Sequence, residues 1–356
     1  MMDQIQPQPP VELVEFKEVT DTEVCKIIQE LKPNSSTSDG ISVKILKMLF
    51  RLKPDIVTKY INTSLIKGFV PKTVKESIVR PIFKKGDRQN PDNYRPISLT
   101  SNFVKIIEKP VKAQILDTLL RNSFFYQHQY SFLENRNTSD ALFQLTLTVQ
   151  NSLDKGEFAS ALFIDVKKAF DTVNHNILIE KVQAAGLNGN VKNWIASFLT
   201  NRTQVLSVNG VTSQSRAVVK GVPQGSILGP ILFLIYINDI AKCDLLGNLV
   251  LFADDICLVY HHTELQNVIK MITKDITTLM QWFRDNQLVM NLDKTEYMLF
   301  SKKTCVDCDT GLVIDGKNIK RVSHVKYLGV IFDENLSWNL QINSIKKNLP
   351  CNICSL

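Results

Sequence analysis

The chain has 356 residues, of which 44% are hydrophobic and 22% charged. That apolar content can build a sizeable core in two or three domains and sets an intrinsically disordered polyelectrolyte aside. A formal net charge of +7 with a pI near 8.9 suits a polyanionic partner without requiring one. Residues 1–19 read as a disordered N-terminal segment, and Met1 to Pro10 is polar and Pro-rich with no apolar core, so it is not a signal peptide. No apolar run approaches a membrane span; the longest, Ile231 to Ile237, reads as a core segment. An intracellular protein, cytoplasmic or nuclear, is expected.

In chain order, Thr20 and Glu23 form a capping box ahead of Val24, Ile27, Ile28 and Leu31 at helical spacing. Two short helices follow near 41–52 and 55–66, together making a helical extension over 20–75. A strand is expected over 76–84 and helices over about 101–121 and 138–154. Ser160 to Val166 is an apolar strand carrying Asp165 at its end, followed by an amphipathic helix to about Ala185 that Gly186 terminates. Asn209-Gly210 is the strongest hairpin signal, between Gln204–Val208 and Thr212 onward. A long apolar helix near 226–240 and an amphipathic one over 264–285 come next, then strands near 296–301, 312–314 (turning through Asp315-Gly316) and 326–332. The mixture predicts an α+β protein on an antiparallel sheet.

Seven cysteines, an odd count without a signal peptide, argue for reduced thiols. Cys305-x-x-Cys308 and Cys351-x-x-Cys354 resemble halves of a zinc site, but their separation is too long for the usual spacing, so thiols are the expectation.

Asp254-Asp255 interrupts the apolar run Leu249–Tyr260, which reads as two strands with the acidic pair at the turn. Adjacent carboxylates among apolar residues call for a divalent cation, for which oxygen-seeking Mg²⁺ is the candidate. A lone Asp-Asp pair also arises by chance in a chain of this length. Asp165 sits at the end of another apolar strand; as neighbours, the two strands would point Asp165 and Asp254 at one spot, where two Mg²⁺ ions suit phosphoryl transfer. An Asp at a strand-to-helix junction serves equally as an N-cap. Gly221-Val222-Pro223-Gln224-Gly225-Ser226 offers glycines for close approach to a ligand and an amide that both donates and accepts, or else an ordinary Gly/Pro turn.

Taken together, Asp165-Val166-Lys167-Lys168-Ala169-Phe170-Asp171, Gly221 to Pro230 and Phe252-Ala253-Asp254-Asp255 resemble the successive signatures of reverse transcriptases, in the version of jockey-like non-LTR retrotransposons. Pro81 to Asp87, Asn93 to Thr100, Asn291 to Glu296 and Tyr327 to Val330 match in the same order, and the resemblance covers roughly 20–340. It implies a right-hand RNA-directed DNA polymerase, a nucleotidyltransferase that extends a DNA primer with deoxynucleoside triphosphates on an RNA template using two Mg²⁺ ions, with Mn²⁺ as a substitute. Fingers would occupy 76–159, the palm 160–300, and the end of the palm with the start of a thumb 301–356. Asp165, Asp254 and Asp255 would be the metal carboxylates. Phe170 would be a steric gate against a 2′-hydroxyl, or else a packed core aromatic. Gln224 and Gly225 would contact the incoming nucleotide or templating base, and Arg95 would lie near template phosphates or face solvent. Lys294 would be a general acid at the pyrophosphate, or else a solvated strand-end lysine.

The chain departs from the family at Ser131-Phe132-Leu133, where related enzymes usually carry Gly-Phe-Arg, and Ser38 replaces a usual proline. Arg136 lies close by in sequence. The upstream endonuclease that such elements carry is not found in the chain, and the thumb is only beginning where it ends. The alternative is therefore a catalytically silent retrotransposon fragment that binds nucleic acid. His261 and His262 are read as loop residues rather than ligands.

Overall fold

The computed structural model describes residues 11–32, 37–302, 311–314 and 316–348. Its elements in chain order are α1 (Asp21–Gln29), α2 (Val43–Leu52), α3 (Pro54–Lys67), β1 (Glu76–Phe83), β2 (Tyr94–Leu99), α4 (Asn102–Arg121), α5 (Thr138–Asp154), β3 (Phe158–Ile164), α6 (Ala169–Thr172), α7 (His175–Ala184) and α8 (Gly189–Leu199). There follow β4 (Arg202–Val208), β5 (Val211–Thr212), β6 (Arg216–Val218), α9 (Gly229–Ile237), β7 (Asn248–Phe252), β8 (Asp255–His262) and α10 (Leu265–Asp285). The remainder is β9 (Glu296–Phe300), β10 (Val313–Ile314), β11 (Lys317–Asn318), β12 (Lys320–Arg321), β13 (His324–Tyr327), β14 (Val330–Asp333) and α11 (Asn339–Asn348). The chain is a mixed α and β protein that divides into two compact units. One runs to Tyr126 and takes in Lys168–Asn238; the other comprises Gln127–Lys167 and Asp239 onward.

The first unit holds a sheet of order β2-β1-β4-β5, with β6 also paired to β4. Strand β2 was not anticipated; it tolerates Pro96 because at the edge of a sheet the missing N–H costs no ladder bond. Helix α1 begins with the expected capping box: Thr20 Oγ1 accepts from the Glu23 amide and Glu23 Oε2 from the Thr20 amide. The helix expected to run to Ala185 is two helices, α6 and α7. Asn174 breaks it, because its side chain accepts from the Asn176 and Ile177 amides and starts a new helix. Helix α8, also unanticipated, follows directly. Ile231–Ile237 of α9 are buried on every side, which explains why this helix shows no polar stripe.

The second unit is built on the sheet β12-β9-β3-β8-β7, antiparallel except between β12 and β9. Central strand β3 is covered on both faces. Ala159, Ala161 and Phe163 join a core with Ala141, Leu145 and Val149 of α5, four residues apart on one face of that helix. Helix α10, with Val268, Ile272, Ile276, Leu279 and Phe283 buried, packs against β3 and β8 as well. Double coverage is why β3 reads as a continuous apolar run rather than an alternating one. The strand expected at 326–332 is the hairpin β13–β14, reversed through Leu328 and Gly329, both with φ above zero. His261 and His262 end β8 rather than lying in a loop, and His261 Nδ1 lies 2.8 Å from Glu157 Oε2. Among the described residues no helix is long and apolar enough to cross a membrane. Cys25, Cys243 and Cys257 are thiols; the four cysteines of the two C-x-x-C pairs, and Asp315, lie outside the described residues.

Candidate active site

In the second unit, β3 pairs antiparallel with β8 as far as Ile164 opposite Ile256. One further step in that register sets Asp165 across from Asp255. The β7–β8 hairpin closes with Phe252 paired to Asp255, so its turn is Ala253-Asp254 and Asp255 is the first residue of β8. The aspartates thus share one end of adjacent strands, where Asp165 and Asp254 are half-buried and Asp255 is exposed.

Two sets of contacts fix this end. Ala253 adopts φ 55°, a left-handed conformation that costs a non-glycine residue about 1–2 kcal/mol. A buried partner holds it there: the Ala253 amide donates to Gln129 Oε1 at 3.2 Å, an oxygen that also accepts from the Ser131 amide and hydroxyl. Residues 128–130 run beside β7, with Leu251 N–H donating to His128 O and Tyr130 N–H to Leu251 O. On the other side, the Asn291 amide donates to Asp165 O, and Asn291 Nδ2 donates to Asp165 Oδ2 at 2.8 Å. Lys294, in the turn after Asn291, brings Nζ to 3.8 Å from the same Oδ2 with its side chain 70% exposed. Neither Gln129 nor Asn291 was singled out from the sequence. The only signal for Asn291 was its place in the Asn291–Glu296 match, and for Gln129 there was none.

Among the described residues, no three His, Cys, Asp or Glu side chains are gathered into a ready metal cage. The donor chemistry nonetheless fits Mg²⁺, which accepts one or two carboxylates and completes its shell with water and phosphate oxygens.

In the first unit, the Gly221–Gly225 segment is tied down at both ends. Gly221 N–H donates to Val173 O, Val222 N–H to Phe170 O, and Ser98 N–H to Gln224 O. Both glycines permit a close approach to the chain itself. A Cβ on Gly221 would meet Asp171 O at 2.7 Å, and one on Gly225 would meet Ser98 O at 2.6 Å. Both have φ well above zero, so any side chain there would also strain the backbone. Gln224 Nε2 donates to Asp171 Oδ1 at 2.8 Å, and burial raises the Asp171 carboxyl above its ordinary pKa against the opposing pull of that bond. The Phe170 ring stacks on buried Phe233, centroids 4.4 Å apart and 23° from parallel, which fixes its orientation. Arg95 is exposed on edge strand β2.

Behind this segment, Glu108 of α4 is wholly buried. Its Oε2 accepts from the Leu228 amide at 2.9 Å, at the start of the apolar helix α9. Burial pushes its pKa up to about 7, although backbone donors and the nearby Arg202 guanidinium oppose the shift.

The profile of the reverse transcriptase (RNA-dependent DNA polymerase) family matches residues 82–332. The probable RNA-directed DNA polymerase from transposon BS of Drosophila melanogaster is 30% identical over 288 residues, covering 78% of this chain and 31% of that protein. The corresponding protein from transposon X-element of the same fly is 26% identical over 347 residues, covering 94% and 38%. The RNA-directed DNA polymerase from mobile element jockey of Drosophila funebris is 26% identical over 350 residues, covering 95% and 38%. The chain belongs to the reverse transcriptase family, among those of jockey-like and other non-LTR mobile elements. It spans between about 31% and 38% of the length of these relatives.

Proposed function

We propose that this chain carries an RNA-directed DNA polymerase that extends a DNA primer with deoxynucleoside triphosphates on an RNA template. The observation that carries the reading is the register of β3 against β8, which brings Asp165 to the same sheet end as the Asp254-Asp255 turn. The sheet β12-β9-β3-β8-β7 is read as the palm and β1 with β2 as part of the fingers. Asp165, Asp254 and Asp255 would hold two Mg²⁺ ions, which when bound activate the primer 3′-hydroxyl and neutralise the triphosphate.

The chain's own residues would have separate tasks. Asn291 holds Asp165 Oδ2, limiting the rotation of that carboxylate. Lys294, whose Nζ lies 3.8 Å from Asp165 Oδ2, would give a proton to the leaving pyrophosphate. Gln224 and Gly225 would contact the incoming nucleotide, Phe170 would exclude a 2′-hydroxyl, and Arg95 would meet a template phosphate. Primer extension on an RNA template with Mg²⁺ and all four deoxynucleotides tests the proposal. Wild type should give product and Asp254→Ala should reduce its rate by about a hundredfold to a thousandfold, the scale of the loss when a transition-state charge is left unstabilised. No product from wild type, with salt-sensitive RNA binding retained, would assign the chain instead to the silent nucleic-acid-binding fragment.

A further inference from the structure

Gln224 can present either end of its amide to a substrate, and the two ends read opposite chemistry: Nε2 seeks an acceptor, Oε1 a donor. What faces the amide inside the protein decides which end is presented. That partner is Asp171 Oδ1, 2.8 Å from Nε2. An ionised carboxylate only accepts, so only the NH₂ end can face it, and Oε1 is left as the outward acceptor. Burial raises the Asp171 carboxyl above its ordinary pKa, and the bond from Gln224 with the charges of Lys168 and Lys84 opposes that shift; Arg202 and Lys220 line the same cavity of about 160 Å³ as Asp171 and Gln224.

The remaining contacts leave the pair little freedom. Ser98 N–H fixes the Gln224 carbonyl at 2.7 Å. Gly221 lets its backbone lie against that of Asp171, and His175 Nε2 lies 2.8 Å from Gly221 O. Asp171 accordingly sits beneath Gln224 as part of one built unit rather than as a surface charge that happens to be near.

We infer that Asp171 is a positioning residue which sets the hydrogen-bonding sense of Gln224, so that the site reads a hydrogen-bond donor on the incoming nucleotide. This rests on the proposed polymerase function. It assigns the aspartate of the Ala169-Phe170-Asp171 triplet a role separate from metal binding and from any gate at Phe170.

The test is steady-state primer extension by the full chain on a homopolymeric RNA template, with the complementary deoxynucleoside triphosphate varied. Asp171→Ala should raise KM for the nucleotide about tenfold with a smaller change in kcat, the scale of one charge-assisted hydrogen bond. It should leave KM for primer–template unchanged. Added to Gln224→Ala it should cost almost nothing more, because the pair acts as one unit. The sharper variant exchanges the groups. Gln224→Glu alone faces two carboxylates and should be severely impaired. Asp171→Asn with Gln224→Glu restores a donor–acceptor pair, still presents an outward acceptor, and should recover much of the loss. Independent, additive losses, or no recovery in the exchange, would overturn the inference while leaving the polymerase function standing. If wild type makes no product, both fall together.

Discussion

Glu108 makes the stability of the first unit depend on pH in a direction opposite to that of most carboxylates. Its pKa rises from an ordinary 4.5 to about 7 because burial penalises the charged form more than the Leu228 amide and Arg202 favour it. The folded protein therefore holds the proton more tightly than the unfolded chain. Below pH 4.5 both states are protonated and the stabilising contribution is complete. Between 4.5 and 7 the unfolded chain loses its proton first and stability falls. Above 7 the contribution is gone. The difference between about 7 and 4.5, at about 1.4 kcal/mol per pH unit, makes about 3 kcal/mol. Glu108→Gln keeps an oxygen to accept from the Leu228 amide and cannot titrate. Urea unfolding of both proteins from pH 4.5 to 7.5 isolates the contribution of Glu108, since other groups cancel in the difference. The stability of wild type minus that of Glu108→Gln should drop by about 3 kcal/mol across the window. A difference that stays flat, or rises with pH, would refute the reasoning.

Two further substitutions probe the site. Asn291→Ala removes the donor to Asp165 Oδ2 and should lower kcat about tenfold and raise the Mg²⁺ concentration needed for half-maximal primer extension, the usual scale for loss of a supporting bond to a metal ligand; an unchanged Mg²⁺ titration would refute it. Gly225→Ala drives a Cβ to 2.6 Å from Ser98 O at a φ of +117° and should cost roughly 2–3 kcal/mol of stability, read as a lower urea midpoint at unchanged slope.

What could be read from the sequence was whatever neighbours along the chain decide. The capping box at Thr20, the extent of α5 and the Asn209-Gly210 hairpin follow from local chemistry and appear within a residue or two of their expected places. So does the turn at Asp254. The order β9-β3-β8-β7 is non-local: strand ends could bring Asp165 and Asp254 to one spot only if the two strands were neighbours, and local chemistry does not decide that. The residues that hold that end were least visible. Asn291 reaches Asp165 across 126 positions and Gln129 reaches Ala253 across 124, and an amide side chain carries no periodicity by which to mark it. Gly221 and Gly225 were visible as glycines, but the backbones they approach, at Asp171 and Ser98, were not, because these lie in other elements.

Arg136 illustrates the same point at the chain's clearest departure from its family. Leu133, where the resemblance implied an arginine, is 7% exposed and packs as an ordinary core residue. Proximity in sequence makes Arg136 the natural substitute. The fold gives it other work: Nη1 donates to Gln127 O at 3.0 Å and to Gln129 O at 2.6 Å. Those carbonyls belong to the segment whose Gln129 side chain accepts from Ala253 and holds the strained turn bearing Asp254. A guanidinium bound to two carbonyls 2.6 and 3.0 Å away would have to release that segment before it could turn to a triphosphate. Arg136 thus supports the Ala253-Asp254 turn through the backbone.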